Sequence, residues 1–143
     1  MSIDNLKNKI KVTITIEQRN FFVAKIDSFP YGVITCPNRT DRDIKADIRE
    51  SVEHTLETMK KCQIQIPDEF ENEYEFDYTF STEALLNYYS RIFSKSTISR
   101  ITGINENQLW FYSAGLKKPR KEQIERINKG LNNFGRELTL DTA

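Results

Sequence analysis

The sequence contains no long hydrophobic run and few of the residues that mark secreted or disordered proteins. No apolar stretch approaches the roughly 18 residues that a membrane-spanning helix needs. The first ten residues, MSIDNLKNKI, lack the apolar core of a signal peptide. Only 5 Gly and 4 Pro occur among 143 residues, which argues against long disordered stretches. We therefore expect a cytoplasmic globular protein without a membrane partner, built from one domain or two small ones.

Cysteine and histidine are also scarce. The 2 cysteines, Cys36 and Cys62, are far apart and lack a CxxC spacing, so we expect free thiols that fill small apolar spaces. The only histidine, His54, has no Cys or Ser beside it, which disfavours both a zinc site and a nucleophilic triad. The sequence therefore predicts a protein that is not an enzyme and that needs no metal or cofactor.

The charged residues are divided unevenly along the chain. Residues 1–80 contain 11 Lys and Arg against 15 Asp and Glu, a net charge of −4, and residues 81–143 contain 10 against 6, a net charge of +4. A basic segment suits a polyanion, whereas an acidic segment suits a basic protein. This division favours two domains with different tasks, 1–80 and 81–143.

Alternation of apolar and polar residues predicts three antiparallel strands near the start of the chain. KIKVTITIE (residues 9–17) alternates strictly, and FFVAKID (21–27) resumes the pattern after a short polar connection. SFPYG (28–32) is typical of a turn, and the short strand GVITC (32–36) follows it. These strands are local in sequence, so we expect a meander.

A long amphipathic helix and a fourth strand follow the meander. Apolar residues recur from Ile44 to Met59 at intervals of about four, behind a predicted cap at Thr40 or Asp41. EYEFDYTF (73–80) then alternates aromatic and acidic residues, which predicts a strand at the edge of the sheet. Its aromatic side chains either dock a basic partner or pack in the core. The predicted order of this part is β-β-β-α-β.

Beyond Ser81 the spacing of apolar residues is helical throughout. A first amphipathic helix is predicted from a cap at Ser81 or Thr82 to Phe93, and a last one contains Ile124 to Phe134. A basic segment, LKKPRK (116–121), precedes the last helix. The chain as a whole is therefore predicted to be α+β, with an all-α second part.

The segment SKSTISRITGINENQLWFYSAG (94–115) predicts two short helices joined by a tight turn. Gly103 permits the left-handed backbone that such a turn needs. Asn105 is placed to cap the second helix, and Gln108 to bond back to the N–H of the cap. This helix then begins with a run of polar side chains.

The second short helix has one apolar face and one polar face. Leu109 and Tyr112 are three residues apart and share the buried face, and we expect Trp110 to pack beneath a neighbouring helix. Five side chains are left off this face: Asn105, Glu106, Asn107, Gln108 and Phe111. Amide side chains in a major groove pair bidentately with adenine. Five basic residues flank the helix and suit phosphates: Lys95, Arg100, Lys117, Lys118 and Arg120. We predict that both sets bind DNA, against the alternative of a solvated, well-capped helix start.

Two parts of the chain resemble known families. The second part resembles the helix-turn-helix of phage-repressor-type (Xre-family) regulators, at these positions: Gly103, Ile104, Leu109, Tyr112, Gly115 and Lys117-Lys118-Pro119. The β-β-β-α-β order of the first part, with FPYG (29–32) and NRT (38–40), resembles HicB antitoxins. Their N-terminal domain is a partial RNase H-like fold that has lost catalysis.

The two resemblances together imply an antitoxin of a type II toxin-antitoxin system. Residues 1–80 would neutralise a small basic ribonuclease of the HicA type, which cleaves mRNA, and residues 81–143 would repress the operon by binding its operator. We expect a homodimer or a higher homo-oligomer, because one recognition helix reads few base pairs. Alternatives are a stand-alone regulator whose first domain dimerises or senses a ligand, and a metal-dependent RNase H-like nuclease. The nuclease would use four carboxylates: Asp27, Glu53, Glu75 and Asp77.

Overall fold

A computed structural model describes residues 7–29 and 32–140 of the chain. These described residues contain four strands and five α-helices, which confirms the predicted mixed α+β class. The chain divides between Ser81 and Thr82 into two compact units, here called the sheet unit and the helical unit. In the part of the chain that the structure describes, no helix is both long and apolar enough to cross a membrane.

The sheet unit begins with the predicted meander. Strands β1 (Asn8–Glu17), β2 (Phe21–Ile26) and β3 (Ile34–Pro37) pair antiparallel in chain order. Alternate residues of β1 are buried, as their period of two requires. The turn predicted at 28–32 includes residues 30 and 31, which lie outside the described residues.

The fourth strand, β4 (Tyr74–Phe80), pairs with β1 and runs parallel to it. The sheet order is β3-β2-β1-β4, so β4 lies at an edge, as predicted. A short 3-10 turn, Asp68–Phe70, precedes β4 and buries the Phe70 ring against the edge-on ring of Tyr74. The sheet unit therefore has the predicted β-β-β-α-β order.

Helix α1 (Ile44–Lys61) covers the sheet with the predicted apolar stripe. The residues of this stripe are all buried: Ile44, Ile48, Val52, Leu56 and Met59. The predicted cap at Thr40 or Asp41 is wrong, because the Asp43 carboxylate accepts from the backbone N–H two residues further on. Asp41 instead forms an ion pair with Arg39, with 2.7 Å between their nitrogen and oxygen atoms. Helix α1 therefore starts later than the polar residues that precede it indicate.

The two faces of the sheet differ in polarity. One face carries the buried core, and the aromatic side chains of β4 lie on this same side: Tyr74, Phe76, Tyr78 and Phe80. The Lys45 ammonium of α1 lies 4.8 Å from the centre of the Tyr78 ring, which places these aromatics beside α1. They are only partly buried. The opposite face is polar and exposed along β1.

The helical unit contains four helices. They are α2 (Thr82–Tyr89), α3 (Lys95–Thr102), α4 (Glu106–Ser113) and α5 (Lys121–Glu137). Residues from all four helices, and one from the turn after α3, form a single buried cluster: Leu86, Ile98, Ile104, Leu109, Tyr112 and Ile127. Burial of side chains of this kind contributes about 1.5–3 kcal/mol each.

Two helices of this unit differ from the prediction. Helix α2 ends at Tyr89, although it was expected to continue four residues further, and Ile92 is 68% exposed. After Tyr89 the N–H of Ile92 donates to the Tyr89 carbonyl, only three residues back. The Ser90 hydroxyl donates to the Leu86 carbonyl in the preceding turn. In α5, Ile124 belongs to the predicted apolar spacing but is 37% exposed.

The two cysteines are free thiols in different environments. Cys36 is fully buried, as expected, whereas Cys62 is exposed just after α1, so its predicted role as an apolar filler is wrong. Burial, with the hydrogen bond to Asp47, raises the pKa of the Cys36 thiol to about 11. Asp47 is itself bonded to the Arg42 guanidinium at 2.8 Å. Cys36 is therefore protonated at neutral pH and is a poor nucleophile.

Candidate nucleic-acid interface

Helix α3 is fixed at both ends by local interactions. The Ser94 hydroxyl oxygen accepts a hydrogen bond from the Thr97 N–H at 3.1 Å and caps the first turn. At the other end Gly103 adopts the left-handed conformation, with φ of 73°, as the sequence predicts. The chain therefore leaves α3 abruptly and enters α4 after three residues.

Side chains from α3 and α5 hold the turn between α3 and α4. The Ser99 hydroxyl donates to the Ile104 carbonyl, and the Ile104 N–H donates to the Thr102 hydroxyl at 3.3 Å. The Arg126 guanidinium, on α5, donates to the Gly103 carbonyl at 2.6 Å. Sequence reasoning missed Arg126, because it lies 23 residues from its partner and no local spacing signals the contact.

The buried side of α4 is held by apolar and polar contacts. Leu109 and Tyr112 lie in the core of the helical unit, as predicted. The Asn87 amide of α2 donates to the Ser113 carbonyl at 2.8 Å, at the end of α4. Asn87 and Ser113 are both buried, so this bond ties α4 to α2 away from water. The opposite side of α4 is therefore the side available to a ligand.

The first turn of α4 presents three exposed polar side chains. Asn105, Glu106 and Asn107 are exposed, as expected, and the Asn105 side chain caps the helix by accepting from the Asn107 N–H at 2.7 Å. The predicted return bond from Gln108 to the cap does not form. Its amide oxygen is buried and has no hydrogen-bond partner among the described residues. The cap bonds the second helical N–H rather than the third, so the reciprocal arrangement is absent.

The outer side of α4 carries two aromatic rings. Asn107 and Phe111 are four residues apart and point away from Leu109, since each residue turns the helix by 100°. Trp110 is 44% exposed, so its predicted position beneath a neighbouring helix is wrong. It packs edge to face on Phe111, with 5.4 Å between the ring centres. Phe111 is half-buried, and the Lys117 ammonium lies 4.8 Å from its ring centre.

The predicted basic residues occupy two regions. Lys117, Lys118 and Arg120 are exposed in the segment that leads from α4 to α5. Lys95 begins α3 and is partly buried, and Arg100 is exposed on α3, where it lines a groove of about 480 Å³ against α5. Lys117 is therefore brought to the outer side of α4, and Arg100 to the groove between α3 and α5.

The arrangement offers hydrogen-bonding and apolar groups side by side with a cation. Asn107 supplies an amide, Phe111 and Trp110 supply apolar surface, and Lys117 supplies positive charge. Such a surface suits the edges of bases and the neighbouring phosphates. In the described ranges, no group of three or more His, Cys, Asp or Glu residues could hold a metal ion, and the four carboxylates of the nuclease alternative form no such group.

A scan against protein-family models and searches of the curated proteins and of the solved structures found no match to the chain.

Proposed function

We propose that this chain is a DNA-binding transcriptional regulator in which α3 and α4 form a helix-turn-helix. The observation that supports this most is the first turn of α4, where Asn105, Glu106 and Asn107 are exposed while the opposite side is held in the core. A recognition helix needs both properties, because it must reach base edges while the rest of the unit fixes its angle.

In the proposed complex the start and outer side of α4 enter the major groove. The Asn107 amide pairs with an adenine, and Phe111 or Trp110 contacts a thymine methyl group or the second subunit of a dimer. Lys117, Lys118 and Arg120 bind phosphates at the rim of the groove. Gln108 reads a base only after its side chain turns outward, because its amide oxygen is buried.

The proposed regulator acts as a dimer on paired half-sites. Two recognition helices related by a two-fold axis reach half-sites about 34 Å apart on one side of the duplex. A palindromic preference with this spacing is therefore expected for the selected DNA.

For the sheet unit we propose an antitoxin role, which the resemblance to HicB antitoxins and the charge of residues 1–80 support. That segment has a net charge of −4, which favours a basic partner such as a HicA-type ribonuclease. The regulator would then repress the operon that encodes both proteins. Co-expression with a small basic protein encoded beside this gene tests the role. Relief of growth arrest together with co-purification supports this role. If the two proteins neither co-purify nor affect one another's activity, the chain is a stand-alone regulator.

Selection from a random duplex library, followed by a fluorescence anisotropy titration, tests DNA binding by α4. Asn107→Ala should weaken binding to the selected duplex by about 5- to 150-fold, which corresponds to the roughly 1–3 kcal/mol of one bidentate pair. The matched control is Asn132→Ala, which removes an exposed amide from α5. Failure to select any duplex, or equal affinities for the two variants, would exclude base reading by Asn107.

A further inference from the structure

Strand β4 has one edge that no strand of the described residues covers. The Asn8 N–H donates to the Glu73 carbonyl at 3.1 Å, and the Ser81 N–H donates to the Ile14 carbonyl at 2.9 Å. Odd-numbered residues therefore direct their backbone groups toward β1. Since successive residues of a strand direct these groups to opposite sides, the outer edge presents the N–H and C=O groups of even-numbered residues. Three of them are Tyr74, Phe76 and Tyr78.

The side chains along this edge have a definite pattern. Glu75 and Asp77 are exposed on the polar face of the sheet. In the register with β1, Lys9 lies beside Glu75 and Lys11 beside Asp77, so basic and acidic residues alternate from strand to strand. The aromatic side chains of β4 occupy the other face and are partly buried. A strand added outside β4 would therefore have carboxylates beside it on one face and aromatic rings on the other.

A second copy of β4 is a poor occupant of this edge. Antiparallel self-pairing places residues of the same face directly opposite one another. Pairing centred on Phe76 sets Glu75 against Asp77, and pairing centred on Glu75 or on Asp77 sets that carboxylate against its own copy. Like charges directly opposite one another destabilise a strand pair. The acidic residues therefore discourage self-association at the middle of the strand and favour a basic partner.

We propose that the outer edge of β4 binds an extended segment of another protein in which Lys or Arg alternates with apolar residues. This segment adds to the sheet as a fifth strand, with its backbone bonded to the even-numbered residues of β4. Its basic side chains lie beside Glu75 and Asp77 and extend the alternation of charge that starts at Lys9 and Lys11. Its apolar side chains pack beside Phe76 and the tyrosines.

The outer edge of β4 is independent of the proposed DNA binding, because it lies in the sheet unit and uses none of the α4 residues. A basic toxin is one protein that could supply the segment, but the proposal does not require that the partner is a toxin. An experiment can therefore refute either proposal without refuting the other.

Selection of ten-residue peptides from a random display library against the full chain tests the chemistry of the partner. The enriched peptides should carry Lys or Arg at alternate positions with apolar residues between them. Absence of enrichment, or enrichment of peptides without alternating basic residues, overturns the proposal.

Hydrogen exchange on the full chain with a selected peptide tests the location and the bonding pattern. Exchange should slow at the Tyr74, Phe76 and Tyr78 amides, which point outward, and stay unchanged at the Glu75 and Asp77 amides, which already face β1. Protection confined to other parts of the chain overturns the proposal. So does protection of the outward amides that depends on protein concentration without peptide, because it assigns the edge to a second copy.

Charge neutralisation distinguishes the edge from a general attraction to an acidic protein. The double variant Glu75→Gln, Asp77→Asn should weaken peptide binding about three- to tenfold, since two cross-strand charge pairs are lost. The control Glu50→Gln, Glu57→Gln removes two exposed carboxylates from α1 and should leave the affinity unchanged. Equal weakening by both double variants contradicts the proposed register.

Discussion

The close crossing of α3 and α5 at Gly130 gives a sharp prediction about packing. A Cβ atom added at Gly130 would lie 2.6 Å from the Ile101 carbonyl oxygen and 3.0 Å from the Thr102 Cα. Both neighbours are backbone atoms at the end of α3, just before the turn at Gly103, so they cannot rotate away. Gly130→Ala therefore forces the two helices apart. Gly135, on the same helix, has no atom within 4 Å of the corresponding position and is the matched control.

The two substitutions should change the free energy of unfolding in opposite directions. Replacing Gly by Ala in a helix contributes up to about 1 kcal/mol of stability, which is what Gly135→Ala should show. Overpacking against a rigid neighbour costs about 1–3 kcal/mol. At Gly130 the clash is with backbone, so the upper part of that range applies, and the net loss should be about 1–2 kcal/mol. The two variants should therefore differ by about 2–3 kcal/mol in the free energy of unfolding.

Urea denaturation followed by tryptophan fluorescence measures this difference. The chain has 1 Trp, and Trp110 lies in the helical unit, so its signal reports on the unit that contains both glycines. Gly130→Ala should move the midpoint to lower urea, and Gly135→Ala to the same or higher urea. A Gly130→Ala variant as stable as Gly135→Ala would refute the close crossing.

Three further predictions concern other parts of the molecule. Asn87→Asp, which sets a carboxylate oxygen against two backbone carbonyls in place of a donor, should destabilise the helical unit by about 3 kcal/mol in the same assay; an unchanged midpoint would contradict the buried bond. Lys118→Ala should weaken binding to selected and unrelated duplexes alike and reduce the salt slope by about 0.9, whereas a loss confined to the selected duplex would indicate base contact. A thiol reagent at pH 8 should modify Cys62 at once and Cys36 only on unfolding, since burial raises the pKa of Cys36 to about 11; two fast thiols would contradict that burial.

The regular elements were predictable because their signals are local. The stripe from Ile44 to Met59 and the alternation in β1 follow from helix and strand periods, and both are buried as expected. Gly103 marked the turn because the left-handed backbone that it adopts strongly favours glycine. The edge position of β4 was indicated by its acidic residues.

The features that sequence reasoning missed depend on tertiary contacts or on choices between similar residues. Arg126 reaches Gly103 from another helix, which no local spacing encodes. Trp110 is large and apolar, but its angular position on α4 places it at the surface. Several polar residues that can cap a helix precede α1, so the sequence does not single out Asp43. The Asn105 side chain bonds the N–H of Asn107 instead of that of Gln108, a choice that the sequence leaves open.

NMR mapping of the full chain with its selected duplex tests the central claim most directly, since it shows which surface contacts the DNA. The largest changes in amide chemical shift should lie at residues 105–107, at Phe111 and in the segment 117–120. Changes confined to the sheet unit, or no change at millimolar protein and low salt, would contradict the assignment of α4 as the DNA-reading helix.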